Sequence, residues 1–240
     1  MSIAKLLREA FWPHRTMCLC CERPSRGGHL CAACEEALGG LRVTGPICRI
    51  CGHALDEDGC PFCDGKGRIT MRAAWIYGEQ ARRLVHVLKF EGVAIAAQVM
   101  AEGMAEVAKP LRLPPETVVT WPSMPAGRKL ERGIDHGALL ASAVGERLSL
   151  PAKQLLTRSD RLAAETQAGM GALERRTRLK GVFACEEKIN GPVLLVDDVL
   201  TTAATATACA ECLLAAGAAS VTVVTAAQTP KYNAMRKGSV

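Results

Sequence analysis

Long hydrophobic runs are missing from this 240-residue chain. Without about 18 consecutive uncharged apolar residues, no membrane span is expected. No secretory leader is expected either. The segment from Met1 to Trp12 is apolar on one side but carries Lys5, Arg8 and Glu9, and no small-residue cleavage site follows. A cytoplasmic location is the expectation. Aromatic residues are scarce: three Trp, two Tyr and four Phe, several of them needed for a core. Binders of single-stranded nucleic acid combine charge with stacking platforms, so any such binding is expected to be weak, salt-sensitive and indifferent to sequence. A large excess of one charge is also absent, at 30 Lys and Arg against 24 Asp and Glu. With 49% apolar and 22% charged residues, the composition is that of a folded globular protein. The length allows a core domain plus a small module.

Cysteine is abundant and unevenly placed. Nine of the twelve fall between Cys18 and Cys63. They form a doubled pattern: Cys18-x-x-Cys21 with Cys31-x-x-Cys34, then Cys48-x-x-Cys51 with Cys60-x-x-Cys63. Four thiolates in two such knuckles suit a closed tetrahedral Zn²⁺ site, and without an export signal metal outranks disulfides. Two structural Zn²⁺ ions are expected. Sequential sharing of ligands is the simplest arrangement, and a cross-braced one stays open. Metal binding would supply most of the folding energy of a block so poor in apolar residues. Eight thiolates and two Zn²⁺ would also bring the formal charge from +6 to +2, so local basic clusters must carry any case for nucleic acid. Cys209-x-x-Cys212 lies in a predicted helix without a second pair, which favours packing over a third metal or redox site.

From Ile69 the texture becomes alternating. Ile69–Tyr77 reads as a strand, Glu79–Phe90 and Val93–Lys109 as helices, and Thr117–Trp121 as a strand closed by prolines. Asp135 is placed to cap a helix over His136–Leu148. Residues 158–171 read as a loop and 172–180 as a short basic helix. Ser220–Ala226 reads as a last strand. The expected fold class is α/β with a mainly parallel sheet, whose binding loops lie beyond the carboxyl ends of its strands.

The most informative stretch is Asp197-Asp198-Val199-Leu200-Thr201-Thr202-Ala203-Ala204-Thr205, directly after Val193-Leu194-Leu195-Val196. An apolar strand ends in two acids, a hydroxyl-rich turn follows, and a helix from Ala206 to Ala216 begins, with Gly217 beyond its end. Loop amides and a helix dipole favour an anion there, and Thr201, Thr202 and Thr205 add hydroxyl donors. Paired carboxylates beside a phosphate cradle suit the hydroxyls of a ribose. The implied ligand is a ribose 5-phosphate. The bland alternative, two acids at a helix N-terminus, stays open.

Val193–Thr205 resembles the phosphoribosyl pyrophosphate (PRPP) motif of type I phosphoribosyltransferases, and the wider chain resembles the ComF family of competence-associated proteins. The Cys knuckles carry that resemblance, as do Leu84-x-x-x-Leu88-Lys89-Phe90 and Trp121-Pro122-Ser123-Met124-Pro125 with Arg128-Lys129-Leu130-Glu131-Arg132-Gly133. Thr166-Gln167-Ala168-Gly169-Met170 with Arg175, Arg176, Gly181 and Phe183 completes it. The resemblance implies a type I phosphoribosyltransferase-like domain over residues 68–230, a double zinc-ribbon module over 17–67 and a tail at 231–240. It implies that Asp197 and Asp198 bind the ribose diol and act catalytically in any transfer. Val199, Leu200, Thr201, Thr202, Ala203, Ala204 and Thr205 would wrap the 5-phosphate. Arg128, Lys129 and Arg132 would face pyrophosphate, and Mg²⁺ would accompany PRPP. A solvated face is the lesser alternative for those three cations. The family's usual loop glycine is Ala203 here; where φ is positive, alanine costs on the order of 1 kcal/mol. Its usual Phe-Asn-Gln is Ile134-Asp135-His136, and its usual Val-Pro-Val-Pro is the Trp121–Pro125 segment.

Three functional classes follow: a PRPP-dependent phosphoribosyltransferase of unassigned acceptor, a handler of single-stranded DNA working with uptake machinery, and a PRPP or nucleotide sensor without turnover. The basic clusters at 128–132, 175–180 and 231–237 would track DNA phosphates in the second.

Overall fold

The computed structural model describes residues 16–25, 28–44, 46–48, 50–52, 60, 68–125, 127, 133–159, 181–201 and 203–229. Its centre is a four-stranded sheet built from aliphatic and β-branched runs: β3 (Ile69–Ile76), β4 (Val118–Thr120), β7 (Val193–Leu200) and β8 (Val221–Gln228). The strand order is β3-β8-β7-β4 and every pairing is parallel. Burial on both faces explains why β7 and β8 are apolar almost throughout rather than alternating.

Helices cover both faces. On one side lie α2 (Glu79–Phe90), α3 (Ile95–Ala108) and α4 (His136–Leu148), closing a core around Leu84, Met100, Met104, Leu140, Leu194 and Val196. On the other lies α5 (Ala204–Ala215), packed through Cys209, Ala210 and Leu213 on Leu195, Val221 and Val223. Gly217, at φ +106°, follows the end of α5; a side chain there would meet the Ile189 carbonyl oxygen at 2.5 Å. A small antiparallel pair, β5 (Thr157–Arg158) with β6 (Phe183–Ala184), flanks that side.

The Cys-rich segment contributes the antiparallel pair β1 (Thr16–Met17) and β2 (Pro24–Ser25) and the helix α1 (Ala32–Gly39). It covers the edge of β3 that β8 leaves open. Ile76 N–H donates to the Leu41 carbonyl at 2.7 Å, Met71 N–H to the Ile50 carbonyl at 2.6 Å, and Arg42 bridges Trp75. Covering an edge strand in this way removes a template for aggregation. Leu38 of α1 joins the main core, and the Arg42 guanidinium lies 5.7 Å from the ring centre of the buried Trp75.

The elements follow the sequence expectation closely. The main difference is at β7, which runs through Asp197 and Asp198 to Leu200 instead of stopping at Val196. Pairing with β8 holds those acids in extended conformation, from Asp197 opposite Thr225 to Leu200 opposite Gln228. The loop and helix expected over 160–180 and the tail at 231–240 lie outside the described residues.

Candidate functional site

β4 and β7 differ in length, and that difference opens the site. Their pairing ends at Thr120 opposite Leu195, so the last five residues of β7 project past β4 with β8 as their one strand partner among the described residues. A cleft of about 500 Å³ fills the step, a size ordinary for small-ligand sites. Residues following all four strands line it: Tyr77 after β3, Pro122–Pro125 after β4, Thr201 after β7 and Thr229 after β8. This is the carboxyl-end position where open α/β sheets bind ligands.

Asp197, Asp198, Val199, Thr201 and Thr205 all line this cleft. Each acid bonds forward along the chain: Asp198 N–H donates to Asp197 Oδ1 and Val199 N–H to Asp198 Oδ1, both at 2.8 Å. These bonds fix both carboxylates and satisfy backbone donors at a strand end. Lys89, near the end of α2, also lines the cleft, and its Nζ pairs with Asp198 Oδ2. Sequence reasoning cited Lys89 only within a family motif; its place in a helical pattern gives no sign that it meets an acid more than a hundred residues away.

Burial, and then repulsion from Asp198, push Asp197 up to about 8; the Asp198 N–H and the Lys89 charge act against that rise. The sign of the pH effect follows. The folded chain keeps a proton that the unfolded chain releases near 3.8, so this contribution to stability is complete below that pH and is lost as pH rises through about 8. Asp197→Asn should therefore flatten the decline in melting temperature between pH 6 and 9. With the side chain partly open to the cleft, a gain of about 1 kcal/mol at pH 9, or roughly 2–4 °C, is expected. A decline as steep as wild type would contradict this protonation.

The start of α5 borders the cleft through Thr205. Ala203 sits at φ 60° and ψ 1°, in the left-handed region, immediately before the helix. That turn aims the α5 N-terminus, with its favourable dipole for anions, toward the cleft end of β7. The opposite wall is the start of α4, where Asp135 Oδ1 accepts the Ala138 N–H at 3.0 Å, as expected of a cap. Gly137 lets this turn approach Trp121, since a Cβ there would lie 2.8 Å from the indole. Among the described residues lining the cleft, the carboxylates of Asp135, Asp197 and Asp198 face one lysine, Lys89. Arg128, Lys129, Arg132 and Thr202 lie outside the described residues.

The cysteine clusters form two groups. The Sγ atoms of Cys18, Cys21, Cys31 and Cys34 all lie within 4.8 Å of one another, as do those of Cys48, Cys51 and Cys60. Thiolates about 2.3 Å from a shared Zn²⁺ would need such mutual spacing. The residues therefore fit zinc, and the grouping is sequential, not cross-braced. Cys63, the expected fourth member of the second group, lies outside the described residues. The Arg23 guanidinium, 3.4 Å from Cys21 Sγ, lowers that thiol to about 6, toward the thiolate a metal requires. Cys209, on the sheet-facing side of α5, is fully buried in the core, consistent with packing.

No family model matches the chain. It is 30% identical over 221 residues to the DNA utilization protein YhgH of Salmonella typhimurium, covering 86% of this chain and 94% of that protein. It is 29% identical over 220 residues to the protein of the same name from Escherichia coli K12, with the same coverage. Among solved structures it resembles the glutamine phosphoribosylpyrophosphate amidotransferase of B. subtilis at a TM-score of 0.38 and 18% identity, over 54% of this chain and 25% of that one. No helix among the described residues is long and apolar enough to cross a membrane. With its paired cysteine clusters set before a parallel α/β sheet, the chain belongs to the ComF family.

Proposed function

We propose that this chain binds PRPP or a related ribose 5-phosphate in the cleft at the end of β7. The observation that carries this reading is the convergence of Asp197, Asp198, Thr201 and Thr205 on one cleft beside the N-terminus of α5. Asp197 and Asp198 accept hydrogen bonds from the ribose diol. Residues 199–205 enclose the 5-phosphate, using helix-terminal amides and threonine hydroxyls. The described part of the cleft is rich in carboxylate, so a pyrophosphate group needs further cations. Arg128, Lys129 and Arg132 are proposed for that role, and Mg²⁺ bound with PRPP would neutralise charge, held mainly by substrate oxygens and water. In a transfer reaction, positive charge builds at the anomeric carbon as pyrophosphate leaves, and nearby carboxylates favour that state.

The relatives' name points to a process. We propose that the chain acts in DNA uptake or utilisation, in the cytoplasm, with single-stranded DNA or uptake proteins as partners. The functional division is a double zinc-ribbon module at 17–67, with Cys63 completing the second Zn²⁺ site, and a PRPP-binding domain at 68–230. The basic clusters proposed to track DNA, at 128–132, 175–180 and 231–237, lie outside the described residues.

Equilibrium dialysis tests the ligand: PRPP with Mg²⁺ should be retained, and ribose 5-phosphate should compete for the same site. PRPP retention untouched by excess ribose 5-phosphate would remove the ribose-phosphate assignment. The left-handed Ala203 adds a graded prediction. Ala203→Gly removes strain that the turn already carries without ligand, so it should raise stability by about 1 kcal/mol, and PRPP should bind tighter through the loss of a methyl beside the phosphate. Unchanged affinity would show that this turn does not meet the ligand.

A further inference from the structure

The two cysteine clusters are served by cations from different parts of the chain. The first has one of its own: Arg23, in the loop between Cys21 and Cys31, donates from Nε to Cys21 Sγ at 3.4 Å. The second cluster, with Cys48, Cys51 and Cys60 among the described residues, meets a cation from the sheet. Arg72 belongs to β3. Its Nη1 donates to the Cys48 carbonyl at 3.3 Å and to the Met71 carbonyl at 2.7 Å. One guanidinium nitrogen thus ties a turn of the Cys-rich segment to the strand.

That turn is shaped to lie against β3. Gly52 N–H donates back to the Cys48 carbonyl at 3.0 Å, and Met71 N–H donates to the Ile50 carbonyl at 2.6 Å. Gly52 has φ +70°, and a side chain there would run into the Met71 carbonyl. The loop carrying Cys48 and Cys51 is therefore pressed directly on the strand.

Charge completes the arrangement. Arg72 is half-buried, which is unfavourable for a guanidinium unless opposite charge is near. It forms no ion pair with a carboxylate among the described residues. The opposite charges within its reach are those of Cys48 and Cys51. Three thiolates carry more charge than one Zn²⁺ offsets, so a loaded cluster of this kind is net negative. A neighbouring guanidinium stabilises it, and a hydrogen bond to the backbone of a ligand residue fixes where that residue's sulfur points.

We propose that Arg72 is part of the second metal centre, balancing its thiolate charge from β3 and positioning Cys48. The sheet and the Cys-rich segment then hold this ion jointly. The first ion depends on Arg23, a residue of the segment itself. The second metal becomes the clasp between the segment and the β3 edge, and its affinity reports whether the two are docked.

The full chain loaded with two Zn²⁺ tests this, with Arg72→Met and Arg72→Lys beside wild type. Zinc release to a chromogenic chelator is followed at neutral pH. In Arg72→Met one equivalent should leave about tenfold faster than in wild type, the lower end of what losing an outer partner costs a metal site, while the other keeps its rate. Arg72→Lys retains the charge and should recover part of that difference. Cys21→Ser, which releases the first ion, assigns the phase: adding Arg72→Met should make the remaining zinc the fast one. Loading with ¹¹³Cd²⁺ gives a spectroscopic check, since Arg72→Met should move one of the two ¹¹³Cd resonances. Loss of one zinc from Arg72→Met during purification, with the other retained, is the same result in stronger form. Unchanged release and unchanged resonances, even with a lower melting temperature, would leave Arg72 a packing residue and overturn the assignment. Equal acceleration of both ions would overturn it too.

Discussion

Asp197→Asn combined with Asp198→Asn should weaken PRPP binding at least about 100-fold without unfolding the chain. Above about pH 8, where Asp197 has given up its proton, two diol hydroxyls donating to two fixed carboxylates make charge-assisted hydrogen bonds worth roughly 1.5–3 kcal/mol each, and an amide accepts far less strongly. The carboxylates are held by backbone N–H groups at 2.8 Å, so they need little ordering when ligand arrives. The fold should survive because Asn keeps the size of each side chain and replaces at position 197 a carboxyl whose charged form burial disfavours. The cost is that Lys89 loses its partner on Asp198. Its side chain is 23% exposed, so water can take over that ammonium. Binding by equilibrium dialysis, with circular dichroism on the same samples, separates lost recognition from lost structure. Retained affinity in a folded double variant would mean that the acids serve only to end the strand.

Removing the metal should have a comparably large effect, at the other end of the molecule. The Cys-rich segment has little apolar surface of its own; Zn²⁺ binding in comparable small modules supplies on the order of 10 kcal/mol. Metal analysis should give two Zn²⁺ per chain. Cys21→Ser should release one, and Cys51→Ser the other. Chelation should unravel the segment and uncover the edge of β3. Trp75 reports this directly: it is 3% exposed and lies beneath Arg42 of that segment. Its fluorescence should shift to the red, and the melting temperature should fall by roughly 10 °C or more, since about 3 kcal/mol already moves a chain of this length that far. A single zinc per chain would contradict the doubled site. A Trp75 emission unmoved by complete chelation would show that the segment keeps its packing without metal.

Much of this architecture is visible in local chemistry. The cysteine spacing announces its clusters because four-ligand sites need pairs of nearby thiols, and the described members group as their order suggests. Asp135 is recognisable as a cap because a short acidic side chain just before an apolar helical pattern has few other uses, and it bonds Ala138 N–H. The extension of β7 through Asp197 and Asp198 is harder to see. Acids disfavour strands locally, and only the pairing with β8 holds them there. Lys89 and the groove lined by Cys20, Tyr77, Arg82 and Phe90 are invisible for a related reason. The Lys89–Asp198 pair and the meeting of Tyr77, Arg82 and Phe90 with Cys20 are products of tertiary packing. The low aromatic content argued against exposed stacking platforms, yet one of four phenylalanines stands at the lip of the cleft. Composition counts rings but does not place them.

Every function proposed for this chain requires the cleft at the end of β7 to be a working ribose-phosphate site. Calorimetric titration of the zinc-loaded wild-type chain with PRPP and Mg²⁺ examines that directly. The expected result is a saturable one-to-one isotherm, with a Kd in the range of about 1 μM to 1 mM typical of enzyme substrates. No heat above dilution at millimolar PRPP, from protein shown to be folded and to carry two Zn²⁺, would contradict it.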